Sequence, residues 1–200
     1  MKKLFKKNRL EALTDGIYAI AMTLLVLNVD VEKITEEVNN VGLSKTLVSM
    51  WPVFFSYFLG FFLLATLWLV HYRQCRRIKY VDEKYVWINM LGLLFISLIP
   101  FSTSLISDYG NLLVAAIFFH INLLLAGLVF FWQWTYISSK NELLVESIDA
   151  KIITKMKWRN LLLPITSVIA IAVALASPGW SMAIYMLIIP IKRFFLKSDD

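Results

Sequence analysis

Apolar runs close to the length of a lipid bilayer recur six times in this sequence, at about residues 12 to 29, 47 to 70, 85 to 106, 112 to 137, 160 to 177 and 179 to 195. A helix crosses the hydrocarbon core in about 20 apolar residues. A length of 200 residues would otherwise point to one soluble domain, but 59% hydrophobic residues and a mean hydropathy of +0.69 overrule that prior. The expected fold class is an all-α integral membrane protein, one six-helix domain over residues 1–200. The last two runs are short, and each is interrupted by a proline.

Basic residues decide how such a bundle sits, because short loops rich in Lys and Arg stay in the cytoplasm. Eighteen of the twenty fall in Lys2 to Arg9, Arg73 to Lys84, Lys140 to Arg159 and Lys192 to Lys197. Six spans place all four clusters on one side, so both termini are expected to be cytoplasmic. The opposite side receives Asp30, Glu32, Glu36 and Glu37. A signal peptide is a poor alternative, because no small-residue cleavage site precedes the acidic loop. The net charge of +6 is spread over loop ends, where anionic lipid head groups would meet it, and is read as topology and not as a nucleic-acid surface. The single Cys75 permits no internal disulfide, and no cysteine and histidine set has zinc spacing.

The first run, from Arg9 to Leu27, carries Asp15 near its entry. Around a helix of 3.6 residues per turn, Gly16, Ile20, Thr23, Leu24 and Leu27 share one side, and Tyr18, Met22 and Leu25 point away. A narrow, mildly polar face of this kind could be the wall of an ion path formed by several copies. Pattern alone favours the plainer reading, a packing helix whose Ile20, Leu24 and Leu27 are ordinary core.

Later spans add polar residues whose roles the residues leave open. The segment Asn28 to Lys45 reads as an outside loop that could hold a short helix. Span two opens on Trp51 and Pro52 and closes on His71, one turn beyond Trp68. His71 is either a partner for Asp15 or an interfacial histidine touching water and lipid. Span three holds Asn89 one turn inside, where it would bond across to another helix, and Pro100, where a kink is expected. His120 and Asn122 lie at mid-depth in span four, and His120 by itself is more often a packing residue than a proton relay. Trp132, Trp134 and Tyr136 form an interfacial belt. Apolar residues Leu143, Leu144, Ile148, Ile152 and Ile153 between spans four and five fit a short amphipathic helix on the inner surface. Ala170, Ala172, Ala174 and Ala176 would let the last hairpin pack closely.

Taken in this order, the residues resemble the family of transmembrane protein 175, the endosomal and lysosomal potassium channel, and more closely its prokaryotic single-repeat branch. The family's hallmark is Arg, a few residues, then Phe-Ser-Asp at the head of the first span. It stands here as Arg9, Leu13, Thr14, Asp15 and Gly16, followed by a run similar to the family's Ala-Ile-Ala-Met-Thr-Leu. The likeness continues through Trp68 and His71, Asn89, and Pro100 to Thr103; beyond span four it rests on helix count. Leu13 and Thr14 replace Phe and Ser, which keeps a hydroxyl and loses an aromatic surface.

The resemblance implies a homotetramer in a prokaryotic cell membrane, with the first helix of each subunit lining a central potassium path. It implies a narrowest ring at Ile20, further rings at Leu24 and Leu27, hydroxyls from Thr23, and a hydrogen-bond network of Arg9, Thr14, Asp15, Trp68, His71 and Asn89. Partners are then potassium ions, membrane lipids and other copies of the chain. No resident metal, cofactor or enzymatic activity is expected. The sequence has no TVGYG-type loop, so selectivity must come from partial dehydration at a ring of branched side chains and should be moderate. A secondary transporter of a small cation or solute is the nearest rival, and would need broken helices near the midplane and an internal repeat.

Overall fold

The computed structural model describes residues 4–29, 39–145 and 148–187. A short strand β1 (Leu4–Lys6) precedes helix α1 (Asn8–Leu24), which tightens into a 3-10 turn at Leu25–Asn28. Then come α2 (Asn40–Ser49), α3 (Trp51–Cys75), β2 (Tyr80–Asp82), α4 (Glu83–Ser97), α5 (Ile99–Tyr109), α6 (Leu113–Ser138), α7 (Ala150–Ala176) and α8 (Pro178–Ser181), the last continuing as a 3-10 helix over Met182–Leu187. Among the described residues, five segments are long and apolar enough to cross a membrane: Asn8–Asn28, Trp51–Cys75, Glu83–Tyr109, Leu113–Ser138 and Ala150–Ala176. The sixth expected span enters the described residues only as far as Leu187, and its remainder, with the basic cluster Lys192 to Lys197, lies outside them.

Several boundaries differ from expectation for identifiable reasons. Span two starts at Trp51 and not at residue 47, because α2 ends at Met50 and Pro52 occupies the first turn of a new helix, where its missing N–H costs nothing. The short helix allowed for in the first loop is α2, capped by the Asn39 side chain accepting from the Gly42 amide at 2.7 Å. Span three breaks at Leu98, with Pro100 in the first turn of α5. Span five begins ten residues earlier than expected, because Asp149 caps α7 by accepting from the Lys151 amide at 2.9 Å. Pro164 does not interrupt α7. A Cβ on Gly127 would lie 2.6 Å from the Pro164 ring, so the bare glycine gives the ring its space and brings α6 against α7.

The apolar stretch between α6 and α7 does not form a separate surface helix. Leu143 and Leu144 are buried with Ile78, Val81, Tyr85, Trp134 and Ile137 in a second small core, and the Trp134 indole donates to the Ile153 carbonyl at 3.1 Å. The main core lies between the spans, from Tyr18, Ala21 and Leu25 of α1 through Leu63, Leu64 and Leu67 of α3 to Phe119, Leu123 and Ala170 behind. Of the four alanines near the end of α7, Ala170 and Ala174 face inward, four residues apart, and Ala172 and Ala176 face out.

Strand β1 pairs antiparallel with β2, Leu4 opposite Asp82, and Ile78 bridges to Leu144. These pairings bring the segment before α1, the α3–α4 connection and the α6–α7 connection to one end of the bundle, and with them three of the four basic clusters. At the other end the turn at Gly179 meets the α5–α6 connection, where a Cβ would stand 2.9 Å from Asn111 Oδ1.

Candidate functional site

Helix α1 has two unlike faces. Thr14, Tyr18, Ala21 and Leu25, spaced by four, three and four residues, form the buried stripe. The other side holds Ile20 at 59% exposure, Leu24 at 42% and Leu27 at 72%, with Gly16 open enough that a Cβ would meet nothing within 4 Å. Thr23 lies on this exposed side, and its hydroxyl donates to the Ile20 carbonyl at 2.8 Å. Its oxygen lone pairs are thereby left outward, available to a cation or to water. A groove of about 380 Å³ runs along the same edge between α1 and α4, lined among others by Ile20, Leu24, Leu93 and Leu94.

Polar bonds hold α1 in this rotation. Asn89 Nδ2 on α4 donates to Thr14 Oγ1 at 3.0 Å, and Trp68 Nε1 on α3 donates to Asp15 Oδ1 at 2.8 Å. Adjacent residues on a helix point about 100° apart. Two bonds from neighbouring residues to two different helices therefore fix both rotation and height. At the far end, Asn28 Nδ2 donates to the Pro100 carbonyl at 3.1 Å, at the start of α5. At the near end, Lys7 donates to the Cys75 carbonyl at 2.6 Å and pairs with Glu11 at 3.1 Å.

Of the residues that the resemblance groups with Asp15, one bonds to it directly. Its partner is Trp68, and neither Arg9 nor His71 bonds to it. Arg9 is six residues away, about 9 Å along the axis and about 120° around it, and so cannot reach. His71 is buried and turns inward, its Nε2 lying 3.2 Å from Cys75 Sγ and its ring 6.5 Å from that of Tyr18. Arg9 itself is exposed.

Three polar features were not singled out in the sequence. Gln133, wholly buried on α6, donates from Nε2 to Asn89 Oδ1 at 2.8 Å. An amide in the same span as His120 and Asn122 is the signal that would have found it, masked by its neighbours Trp132 and Trp134. The second is Asn28, whose bond to Pro100 is given above. The third is Asp82, which caps α4 by accepting from the Tyr85 amide at 3.0 Å and also accepts from Tyr136 at 2.6 Å and Lys140 at 2.7 Å. Burial by itself raises the Asp82 carboxyl, but the bonds from Lys140, Tyr136 and the Tyr85 amide outweigh it and hold it below the ordinary carboxylate range.

His120 belongs to a different place. Its Nε2 lies 2.8 Å from Ser181 Oγ and its Nδ1 3.1 Å from the Tyr185 hydroxyl, which in turn bonds to Ser167 at 3.2 Å. Ser181 gives its proton to the Pro178 carbonyl at 2.6 Å, so His120 Nε2 is the donor of that pair. This knot ties α6 to α7 and to the segment after it, the packing role that a mid-span histidine most often has. Asn122, on α6 as well, donates to Ser102 on α5 at 3.2 Å.

Known proteins share this chain's sequence pattern and fold. The family model described as endosomal/lysosomal potassium channel TMEM175 matches residues 9–100. A potassium channel of Chamaesiphon minutus is 31% identical over 144 residues, 70% of this chain and 70% of its own, and a potassium channel of Streptomyces collinus is 27% identical over 149 residues, covering 72% and 71%. The crystal structure of a lysosomal potassium-selective channel TMEM175 homolog from Chamaesiphon minutus superposes with a TM-score of 0.80 at 24% identity, over 96% of this chain and 98% of that one. The shared fold thus reaches past span four, beyond which the sequence resemblance rests on helix count. With a relative this similar over most of both lengths, the chain belongs to the TMEM175 family of ion channels, as a multi-pass integral membrane protein.

Proposed function

We propose that this protein is a potassium channel of moderate selectivity, in which four copies set the exposed face of α1 around a common axis in a prokaryotic cell membrane. The observation that carries this reading is the pinned rotation of α1, which leaves Ile20, Leu24 and Leu27 without cover in the single subunit. Ile20 forms the narrowest ring, Leu24 and Leu27 the rings beyond it, and Thr23 offers oxygen between them. A ring of branched side chains closes by dewetting; slightly wider, it makes a cation shed part of its water. Potassium holds its water less tightly than sodium, so potassium meets the smaller penalty. The basic end of the bundle faces the cytoplasm, and a sixth span completes the subunit.

An unpaired carboxylate at mid-bilayer costs roughly 2.5 to 3.5 kcal/mol on insertion scales, and less near the interface. Asp15 offsets this through Trp68 and serves as a bracket for α1 and not as an ion ligand.

The break in the third span at Leu98 is the one observation that favours a transporter, since discontinuous helices build carrier sites. The carbonyls next to it already have partners within the protein: Asn28 donates to that of Pro100, and Ser102 to that of Ile99 at 3.0 Å. The channel is the better reading. Purified protein in liposomes should pass potassium down its gradient without counterflow exchange, and Ile20→Ala should leave assembly intact while changing conductance. Accelerated exchange driven by potassium on the far side, or an Ile20→Ala protein that conducts like wild type, would count against it.

A further inference from the structure

We infer that Gln133 is a positioning residue for the channel wall, acting on α1 through Asn89. The inference rests on the proposed role of α1 and extends it to a helix whose part in conduction nothing else assigns.

The bond from Asn89 to Thr14 is only as well aimed as Asn89 itself. A primary amide in a buried site can present its oxygen or its nitrogen to a given neighbour, and only the nitrogen can donate to Thr14 Oγ1 in the observed arrangement. In the observed arrangement Gln133 presents Nε2 to Asn89, its own Oε1 having no hydrogen-bond partner among the described residues. By donating to Asn89 Oδ1 at 2.8 Å it takes the oxygen towards α6 and leaves Nδ2 facing α1. All three residues are buried, Thr14 at 0%, Gln133 at 1% and Asn89 at 2% exposure, so water does not compete for these groups. The result is a directional chain across three helices, from α6 through α4 to α1.

Its anchor is a closely packed part of the bundle. Helix α6 is held against α7 by the Gly127 and Pro164 contact, and next to Gln133 the Trp134 ring is wholly buried and bonded to the Ile153 carbonyl. At its other end Thr14 lies six residues before Ile20 on one continuous helix. A change in the aim of Asn89 is therefore a rotation of the Ile20 side chain about the axis of α1.

The test uses full-length protein in liposomes and reads the ratio of potassium to sodium flux, which a loss of general stability would leave alone. Gln133→Met keeps the length of the side chain and removes the donor; the ratio should fall about threefold, the effect of one hydrogen bond between membrane helices. Thr14→Val should lower it by a similar factor, and the double variant should fall no further than Thr14→Val alone, because both substitutions break one chain. Where Gln133→Met does not assemble, Gln133→Asn, which withdraws the same amide by one methylene, is expected to give the lowered ratio. An unchanged ratio, two effects that multiply in the double variant, or failure of both Gln133 variants to assemble would overturn the inference. Ile20→Ala measured alongside separates the two levels: if it alters conductance while Gln133→Met does nothing, only the role of Gln133 is lost; if Ile20→Ala itself changes nothing, the wall assignment falls.

Discussion

The front and back of this subunit are built on opposite plans. At the back, α6 and α7 touch closely enough that a single methyl on Gly127 would collide with Pro164, and His120 binds the following segment through Ser181 and Tyr185. At the front, α1 offers half its circumference to nothing within the subunit and is held by a few bonds from Asn89, Trp68 and Asn28. Inside a bilayer, hydrocarbon chains are as apolar as leucine, so close packing and hydrogen bonds must do what the hydrophobic effect does in water. The back uses both, whereas the front packs only the Tyr18, Ala21 and Leu25 stripe of α1 and relies on hydrogen bonds beside it. A wall helix pinned by few, specific bonds can be turned by small changes, and a scaffold that is close-packed cannot.

Two glycines set the contrast most sharply. Gly127→Ala should destabilise the assembled protein by about 1–3 kcal/mol through overpacking, seen as earlier dissociation in a thermal ramp followed by size-exclusion chromatography. Gly16→Ala, in a place where a Cβ meets nothing within the subunit, should cost the subunit's own packing nothing and gain up to about 1 kcal/mol from helix propensity. Equal losses from the two would erase the distinction between front and back.

The bracket at Asp15 comes next in size. Asp15→Ala leaves the Trp68 indole without its acceptor and should lower the fraction of assembled protein, whereas Asp15→Asn, which keeps an oxygen, should fall between it and wild type; bonds of this kind between membrane helices contribute about 0.6 kcal/mol on average. If Asp15→Ala assembled like wild type, the front would be held by something other than these bonds.

The smallest effect is expected at Asp82, where the two regions join. Its carboxyl is held below its ordinary range when folded, so its contribution is fully present above the unfolded carboxylate pKa and is lost as pH falls through the lower folded value. Wild type should therefore lose stability in acid more steeply than Asp82→Asn, as read from melting temperature against pH. Parallel curves would mean that the link from Lys140 and Tyr136 to β2, and so to the strand before α1, carries no load.

What could be read from sequence divides along the same line. The two faces of α1 follow from residue spacing, since on any helix Tyr18 and Leu25 fall about 160° and about 140° from Ile20, whereas Leu24 falls only about 40° from it. The span Leu113–Ser138 lies within a residue of its expected bounds because its polar residues, such as His120, Asn122 and Gln133, are too few to break the apolar run. Contacts between distant residues were not legible: that Pro164 would be accommodated depends on Gly127, 37 positions away on another helix. The resemblance groups Trp68 with Asp15, but which member of that network bonds to the carboxylate depends on how α1 and α3 are turned, which spacing does not give. The buried fate of Leu143 and Leu144 depends on Ile78, which hydropathy along the chain does not bring near. The order of spans is written locally; the pins between them are not.

Accessibility of α1 to a water-soluble cationic thiol reagent tests the central claim most directly. Cys75 is buried, so the background should be silent. With cysteine placed singly at Ile20, Leu24, Leu27 or, as a lipid-facing control, the exposed Phe62 of α3, reagent should cut potassium flux at the three α1 positions and leave Phe62→Cys untouched. Flux that survives full treatment at Ile20 and Leu27, or falls equally at Phe62, would contradict a conduction path along this face.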